Sequence, residues 1–148
     1  MKRLTIAAAV LSALPMLAPL SAQAPSGTRT QGIAWHEDLD SALAEAKTSH
    51  KPVFLDIWAE WCPPCQRMRE SVFPAPQSQA ALKKVVAASV MVEKKDRTPI
   101  PAGVAVDQRY GSGGGYPTLL ILDEDGKVLR RHIGALDAAA LAKFISGE

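Results

Sequence analysis

The sequence has little of what usually reveals a function. Its 148 residues include two cysteines, and its 17 basic residues exceed its 15 acidic residues by two. Lys2 and Arg3 account for that excess, so the rest of the chain carries equal numbers of each sign. No P-loop, dinucleotide fingerprint or long basic stretch is present. We therefore expect no nucleic acid, nucleotide or anionic membrane surface as a partner.

Residues that bind metals are also scarce. A structural zinc site needs four thiolate or imidazole ligands at characteristic spacings. The three histidines, His36, His50 and His132, show no such spacing relative to each other or to the two cysteines. We therefore predict no metal site.

The first two dozen residues have the layout of a secretory signal peptide. Lys2 and Arg3 precede an apolar run over residues 4–20, and the small-x-small sequence Ala22-Gln23-Ala24 follows it. We expect cleavage there, so that the mature chain begins at Pro25 and is periplasmic or secreted. An uncleaved membrane anchor is the alternative, but two prolines interrupt the run and it is short for a spanning helix.

Hydrophobic periodicity divides the chain into a signal peptide, residues 1–24, a flexible lead-in, residues 25–32, and one domain, residues 33–148. The alternation of strand-like and helix-like segments predicts an α/β fold. The predicted strands are 33–35, 53–58, 88–93, 118–122 and 127–132. The predicted helices are one capped by Asp38 or Asp40 and those at 62–73, 77–86, 103–110 and 137–145.

The two cysteines lie three residues apart, directly after a predicted buried strand. Export would let a disulfide between Cys62 and Cys65 persist. A disulfide that closes so short a loop constrains the unfolded chain only weakly, so it is a poor stabilising device. The spacing therefore favours thiol–disulfide exchange over a purely structural disulfide.

The segment around these cysteines resembles a known family. Residues 54–65, FLDIWAEWCPPC, resemble the active-site block of thioredoxin, with Pro63 in place of the usual glycine. Residues 116–120, YPTLL, resemble the cis-proline loop of that family and the strand after it. The resemblance extends from Trp35 to Ile145. It implies a single-domain thioredoxin fold, in which helices flank a central mixed β-sheet.

The first half of the predicted domain is also similar to a subgroup of exported thioredoxin-like proteins. Trp35, the helix from Asp38 and the pair Lys51-Pro52 resemble that subgroup, which includes the C-terminal domain of the bacterial membrane thiol–disulfide interchange reductase.

The resemblance implies roles for three residues in the exchange reaction. Cys62 is expected at the exposed N-terminus of a helix as the attacking thiol, and Cys65 as the buried resolving thiol. Asp56 is expected beneath Cys65, where burial would raise its pKa and suit it to relay a proton. A hydrogen-bonded core carboxylate without a catalytic role is the alternative. The family's lysine near this acid has no clear counterpart, since Val92 falls close to its position.

Five further residues are expected to receive the substrate. Trp61 should cover the apolar surface around the attacking cysteine, and Pro63 and Pro64 should stiffen the first helical turn. The bond between Tyr116 and Pro117 is expected to be cis, with the backbone of Tyr116 pairing with an extended substrate segment. A trans proline that merely begins a strand is the alternative.

These features predict an exported protein disulfide oxidoreductase, most simply a reductant, whose redox centre is the dithiol itself. No metal, flavin or nucleotide cofactor is required. The expected partners are proteins with disulfides or thiols and a membrane electron carrier, and the expected state is a monomer. The alternatives are a disulfide oxidant or isomerase, or a non-catalytic binding or chaperone module with an incidental disulfide. A peroxidase is disfavoured because the resemblance is to a dithiol exchange site.

Overall fold

The structure is a computed structural model that describes residues 29–30, 32–111, 113 and 115–148. The predicted signal peptide lies outside the described residues. Six strands lie within the described residues: β1 (Arg29–Thr30), β2 (Ile33–His36), β3 (Val53–Ala59), β4 (Val86–Glu93), β5 (Thr118–Leu122) and β6 (Val128–Ile133). The helices are α1 (Leu39–Ser49), α2 (Pro63–Arg67) with a π-helical continuation (Met68–Val72), α3 (Pro76–Leu82), α4 (Pro101–Tyr110) and α5 (Ala138–Ser146).

The strands form one mixed sheet in the order β1-β2-β4-β3-β5-β6. The central strand β3 runs parallel to β4 and antiparallel to β5, while β2 is parallel to β4 and β6 is antiparallel to β5. Parallel neighbours need crossover connections, and α1 and the α2–α3 region supply them. The predicted single α/β domain with a mixed sheet flanked by helices is confirmed.

Helices cover both faces of β3, which explains its continuous apolar sequence. Phe54 packs in one core cluster with Met68 of the π-helical continuation, whereas Leu55 and Ile57 pack in the cluster on the opposite face. Because side chains alternate along a strand, Asp56 belongs to the face of Phe54. This places an acidic residue on the sheet face that the helix after the cysteines covers.

Local capping sets where the helices begin. The carboxylate of Asp38 accepts a hydrogen bond of 2.8 Å from the backbone N–H of Ser41 at the start of α1, so Asp38 rather than Asp40 is the cap. At α2 the N-cap is Cys62, followed by two prolines in the first turn. Proline is suited to that turn because backbone N–H groups there have no acceptor within the helix, so a residue without an N–H loses no helical hydrogen bond.

Several predicted boundaries differ from those in the structure. The helix predicted to reach Val86 ends at Leu82, and β4 begins at Val86 rather than at residue 88. The N–H of Val86 donates to the carbonyl of Pro52 next to β3, so sheet pairing prevails over continuation of the helix. Part of the predicted lead-in forms β1, which pairs with β2. The predicted helix 103–110 begins two residues earlier, at Pro101.

Helix α4 lies unusually close to β4. A Cβ atom at Gly103 would overlap the backbone carbonyl of Met91, so only glycine permits this approach. Among the described residues, no helix combines the length and the apolar character that crossing a bilayer requires.

Candidate active site

The two cysteines form a disulfide at the beginning of α2. Their Cα atoms are 5.3 Å apart, and the backbone N–H of Cys65 points to the Sγ atom of Cys62 at 3.3 Å. Cys62 is the N-cap residue, where the unpaired N–H groups of the first turn and the helix dipole favour negative charge. After reduction, these groups can stabilise a thiolate at Cys62 more than one at Cys65.

Both cysteines are buried in this oxidised state. Cys62 is 2% exposed and Cys65 is 1% exposed, so the expected exposure of Cys62 is wrong for the disulfide form. The reason is that three aromatic side chains, Trp58, Trp61 and Tyr116, pack around the pair. A partner must therefore reach Cys62 through the edge of this aromatic cover.

The loop before β5 forms the opposite wall of the site. The peptide bond between Tyr116 and Pro117 is cis, and the carbonyl oxygen of Tyr116 lies 3.5 Å from the Sγ atom of Cys62. The Tyr116 ring meets the Trp61 ring edge-on at 6.1 Å, and its hydroxyl donates to Asp107 of α4 at 3.2 Å. The contacts of its ring with Trp61 and of its hydroxyl with Asp107 thus hold Tyr116 beside Cys62.

Polar contacts from the end of β4 and from the β4–α4 connection hold Trp61 in place. Its indole N–H donates to the carboxylate of Glu93 at 2.6 Å, and the guanidinium of Arg97 lies 3.7 Å from its ring centroid. The neighbouring Glu60 accepts a hydrogen bond of 2.8 Å from the backbone N–H of Lys95. The sequence analysis did not identify Glu93 or Arg97, because no sequence pattern around Trp61 indicates contacts with residues more than thirty positions later in the chain.

Asp56 is buried as expected, at 1% exposure. The hydroxyl of Ser89 donates to its Oδ2 atom at 3.1 Å, and its Oδ1 atom has no hydrogen-bond partner among the described residues. Burial is the dominant influence and raises the pKa of Asp56 to about 7, against the opposing effects of the Arg69 charge and the Ser89 hydrogen bond. The carboxyl can therefore both bind and release a proton near neutral pH.

The cation near Asp56 is Arg69, which lies in the π-helical continuation of α2 rather than on β4. The Nη1 atom of Arg69 lies 4.0 Å from Asp56 and donates to Ser89 at 2.8 Å, whereas Val92 is buried in the apolar core. The sequence analysis missed Arg69 and Ser89. One signal was available: Arg69 is four residues after Cys65, on the same helix face. Ser89 is the residue opposite Asp56 in the β3–β4 register.

The arrangement therefore combines an exchangeable disulfide, a helix N-terminus that favours a thiolate, and a buried acid on the sheet face beneath the helix. In the part of the chain that the structure describes, no group of three or more His, Cys, Asp or Glu residues could hold a metal ion.

Residues 39–146 match the thioredoxin-like domain family, which is most of the chain. This chain belongs to that family. Its disulfide, at the start of the helix after the central strand, lies within the matched region.

Sequence comparison also finds named relatives of this chain. The chain is 35% identical, over 95% of its length, to the thiol:disulfide interchange protein DsbD of Klebsiella pneumoniae, and 36% identical, over 76%, to that of Cronobacter sakazakii. It spans less than a quarter of these relatives, 23% and 19% respectively. The chain is thus similar to a segment of DsbD.

Solved structures show the same fold. A thioredoxin from Thermus thermophilus aligns with a TM-score of 0.65 and 28% identity, over 78% of this chain and 85% of that one. The oxidised C-terminal domain of Neisseria meningitidis DsbD aligns with a TM-score of 0.61 and 24% identity, over 73% and 90%.

The raised pKa of Asp56 predicts a pH-dependent stability. A carboxyl with a raised pKa binds more protons in the folded state, so the free energy of unfolding falls as pH rises from about 4 to above 7. Asp56→Asn removes this charge. We expect the oxidised variant to match the wild type near pH 4 and to exceed it by about 2–4 kcal/mol near pH 8.5.

Urea denaturation at a series of pH values measures this difference. Glu70→Gln, which changes an exposed acid in the π-helical continuation after α2, serves as the control and should leave the pH profile unchanged. Parallel profiles for Asp56→Asn and the wild type would contradict a raised pKa at Asp56.

Proposed function

We propose that this chain is a thiol–disulfide oxidoreductase that reduces protein disulfides outside the cytoplasm, with Cys62 as the attacking thiol. The observation that carries the proposal is the position of the disulfide: Cys62 caps a helix and Cys65 donates its N–H to the Cys62 sulfur. A thiolate at Cys62 is the better nucleophile for attack on a partner disulfide.

The first step forms a mixed disulfide. The Cys62 thiolate attacks one sulfur of the partner disulfide, a new S–S bond joins Cys62 to the partner, and the other partner sulfur leaves as a thiolate. The carbonyl of Tyr116 lies beside the Cys62 sulfur, which supports a role for this backbone in holding the partner during the step. An extended segment of the partner pairs there with the backbone of Tyr116, and Trp61 covers its side chains.

The second step releases the partner. Cys65 loses its proton to the carboxylate of Asp56, and the resulting thiolate attacks the Cys62 sulfur. The second partner sulfur then leaves as a thiolate and the Cys62–Cys65 disulfide forms. Two electrons have passed from the dithiol to the partner. A carboxyl with a pKa of about 7 is suited to accept a thiol proton and then release it.

Two features support a reducing rather than an oxidising direction. The loop between the cysteines consists of Pro63 and Pro64, so no cation lies between the thiols to stabilise a thiolate strongly. Strong thiolate stabilisation is what makes a dithiol an oxidant, because it favours the reduced form. The buried Asp56 adds an acid near the dithiol rather than a positive charge.

The cellular setting follows from the sequence. Residues 1–24 have the features of a signal peptide, which supports a mature chain of residues 25–148 in the periplasm or outside the cell. Its partners are oxidised proteins, and a membrane electron carrier returns it to the dithiol form. The dithiol serves without a further cofactor, and the mature chain acts as a monomer.

Cysteine variants test the exchange mechanism. Cys65→Ser should still attack a peptide disulfide but should accumulate the mixed disulfide, because nothing resolves it. Cys62→Ser should lose disulfide reduction entirely. Mass spectrometry of the trapped adduct and a turnover assay measure these outcomes. Ser71→Ala, an exposed change on the same helix, is the control. Full activity of Cys62→Ser would indicate a binding or chaperone module with an incidental disulfide.

The reduction potential tests the direction. We expect the Cys62–Cys65 pair, equilibrated in thiol–disulfide buffers, to have a potential near that of thioredoxin, about −270 mV. A value near about −120 mV would make the protein a disulfide donor and would contradict the reducing direction.

Intact mass of the protein expressed with its full sequence tests export. The secreted form should begin at Pro25, because cleavage follows the small residues before it. Retention of the whole leader in a membrane fraction would instead indicate an anchored protein.

A further inference from the structure

A cavity of about 660 Å³ lies behind the active site. Aromatic side chains of Trp35, Trp58 and Phe73 line part of it, together with residues of β4 and α4. Of the described residues around the disulfide, Cys62, Cys65, Trp61 and Tyr116 do not line it. Trp58 lines the cavity and also packs against the disulfide, so it lies between the cavity and the front of the site, where Trp61 and Tyr116 cover Cys62.

Ser89 lies between this cavity and the buried acid. Its side chain lines the cavity and its hydroxyl donates to Asp56, while Asp56 itself is 1% exposed. In the sheet, Asp56 is flanked by Ser89 on β4 and by Leu119 on β5. Ser89 is thus the polar neighbour of Asp56 in the sheet, and it touches both the acid and a space that water can enter.

Arg69 restricts the direction in which the Ser89 hydroxyl points. A guanidinium has only donors, so the Ser89 oxygen accepts the 2.8 Å hydrogen bond from Arg69. The single hydrogen of Ser89 is then available for the Asp56 carboxylate, 3.1 Å away. Trp58, which lines the cavity, holds Arg69 in place: the Arg69 guanidinium lies 4.1 Å from the centroid of the Trp58 ring.

We propose that Arg69 is a positioning residue for the resolving step: by donating to Ser89, it aims the serine hydroxyl at Asp56 and connects the buried acid to the rear cavity. The inference rests on the proposed function, because it concerns the proton that Asp56 takes from Cys65. It adds a direction of proton release, away from the surface that a bound partner covers.

The proton balance of the step is as follows. Cys65 gives its proton to Asp56 when its sulfur attacks the mixed disulfide. Once Asp56 is protonated, the Ser89 hydroxyl rotates its hydrogen from the carboxyl toward water in the cavity, and the carboxyl donates to the Ser89 oxygen. Ser89 then gives its hydrogen to that water as its oxygen takes the proton from Asp56, so the new hydroxyl hydrogen points at the carboxylate and the starting arrangement is restored. The hydrogen bond from Arg69 to the Ser89 oxygen is kept throughout. No oxidant or reductant beyond the dithiol and its partner takes part.

Other charged groups also line the cavity. Glu37, Asp38 and Asp40 line it from the start of α1, and Arg109 lines it from α4. Arg69 is the charged side chain that acts on Asp56, and the carboxyl's neighbours on β4 and β5 are not ionisable. On α2, the thiol of Cys65 is the proton donor after reduction.

Single-turnover oxidation of the reduced protein by a peptide disulfide tests the proposal, with the resolving step followed by tryptophan fluorescence across pH. Arg69→Met removes the donors and the charge. Its side chain is 41% exposed, so solvent weakens its effect and we expect the midpoint of the pH profile to rise by about one pH unit. Arg69→Lys keeps a donor and a charge and should shift the midpoint less.

A double-mutant cycle separates action through Ser89 from action at a distance. Ser89→Ala should raise the midpoint in the same direction, and the double variant Arg69→Met/Ser89→Ala should move it no further than Arg69→Met alone. Arg67→Met, an exposed arginine one position before the π-helical continuation, is the matched control and should not shift it. In a Cys65→Ser background, Arg69→Met should leave the rate of mixed-disulfide formation unchanged.

Two results would overturn the proposal. One is an unshifted midpoint in Arg69→Met, and the other is a shift in Arg69→Met with none in Ser89→Ala, which would mean that the arginine acts only through space. Neither result touches the proposed function, whose failure would appear in the wild type itself as an absence of disulfide reduction.

Discussion

The pairing of β3 with both of its neighbours is the constraint on which the site depends. β4 on one side and β5 on the other fix the register of β3, so Asp56 lies between Ser89 and Leu119. The same pairing brings the end of β3, from which the chain leads into Cys62, beside the start of β5 and the cis peptide bond before it. A shift by one residue would turn Asp56 to the opposite face of the sheet. The disulfide, the acid and the substrate loop are therefore set by one register.

The site has two sides with different physical characters. On the front, Trp61 and Tyr116 cover the buried disulfide, and two charged residues, Glu93 at the end of β4 and Arg97 after it, hold Trp61 in place. At the rear, Ser89 and Arg69 connect the acid to the cavity. In the proposed reaction, the partner exchanges disulfides at the front and the proton leaves at the rear.

Patterns local to the chain predicted much of this. The strand 118–122 was predicted at its observed limits, and Cys62 was expected at a helix N-terminus, where the structure has it as the N-cap of α2. The end of α3 was wrong because the sheet pairing of Val86, a contact distant in sequence, ends the helix early. The expected exposure of Cys62 was wrong for a related reason: the cover comes partly from Tyr116, fifty-four residues later.

The sequence by itself determined the dithiol, the buried acid and the strand–helix junction that joins them, because each is encoded within a dozen consecutive residues. The same residues carry the resemblance to the thioredoxin family. Only the tertiary structure decided that Arg69, rather than a lysine, is the cation at Asp56, and that Ser89 connects the acid to a cavity. The physical reason is that these contacts join a helix and two strands, and their distances follow from packing and register rather than from any local pattern.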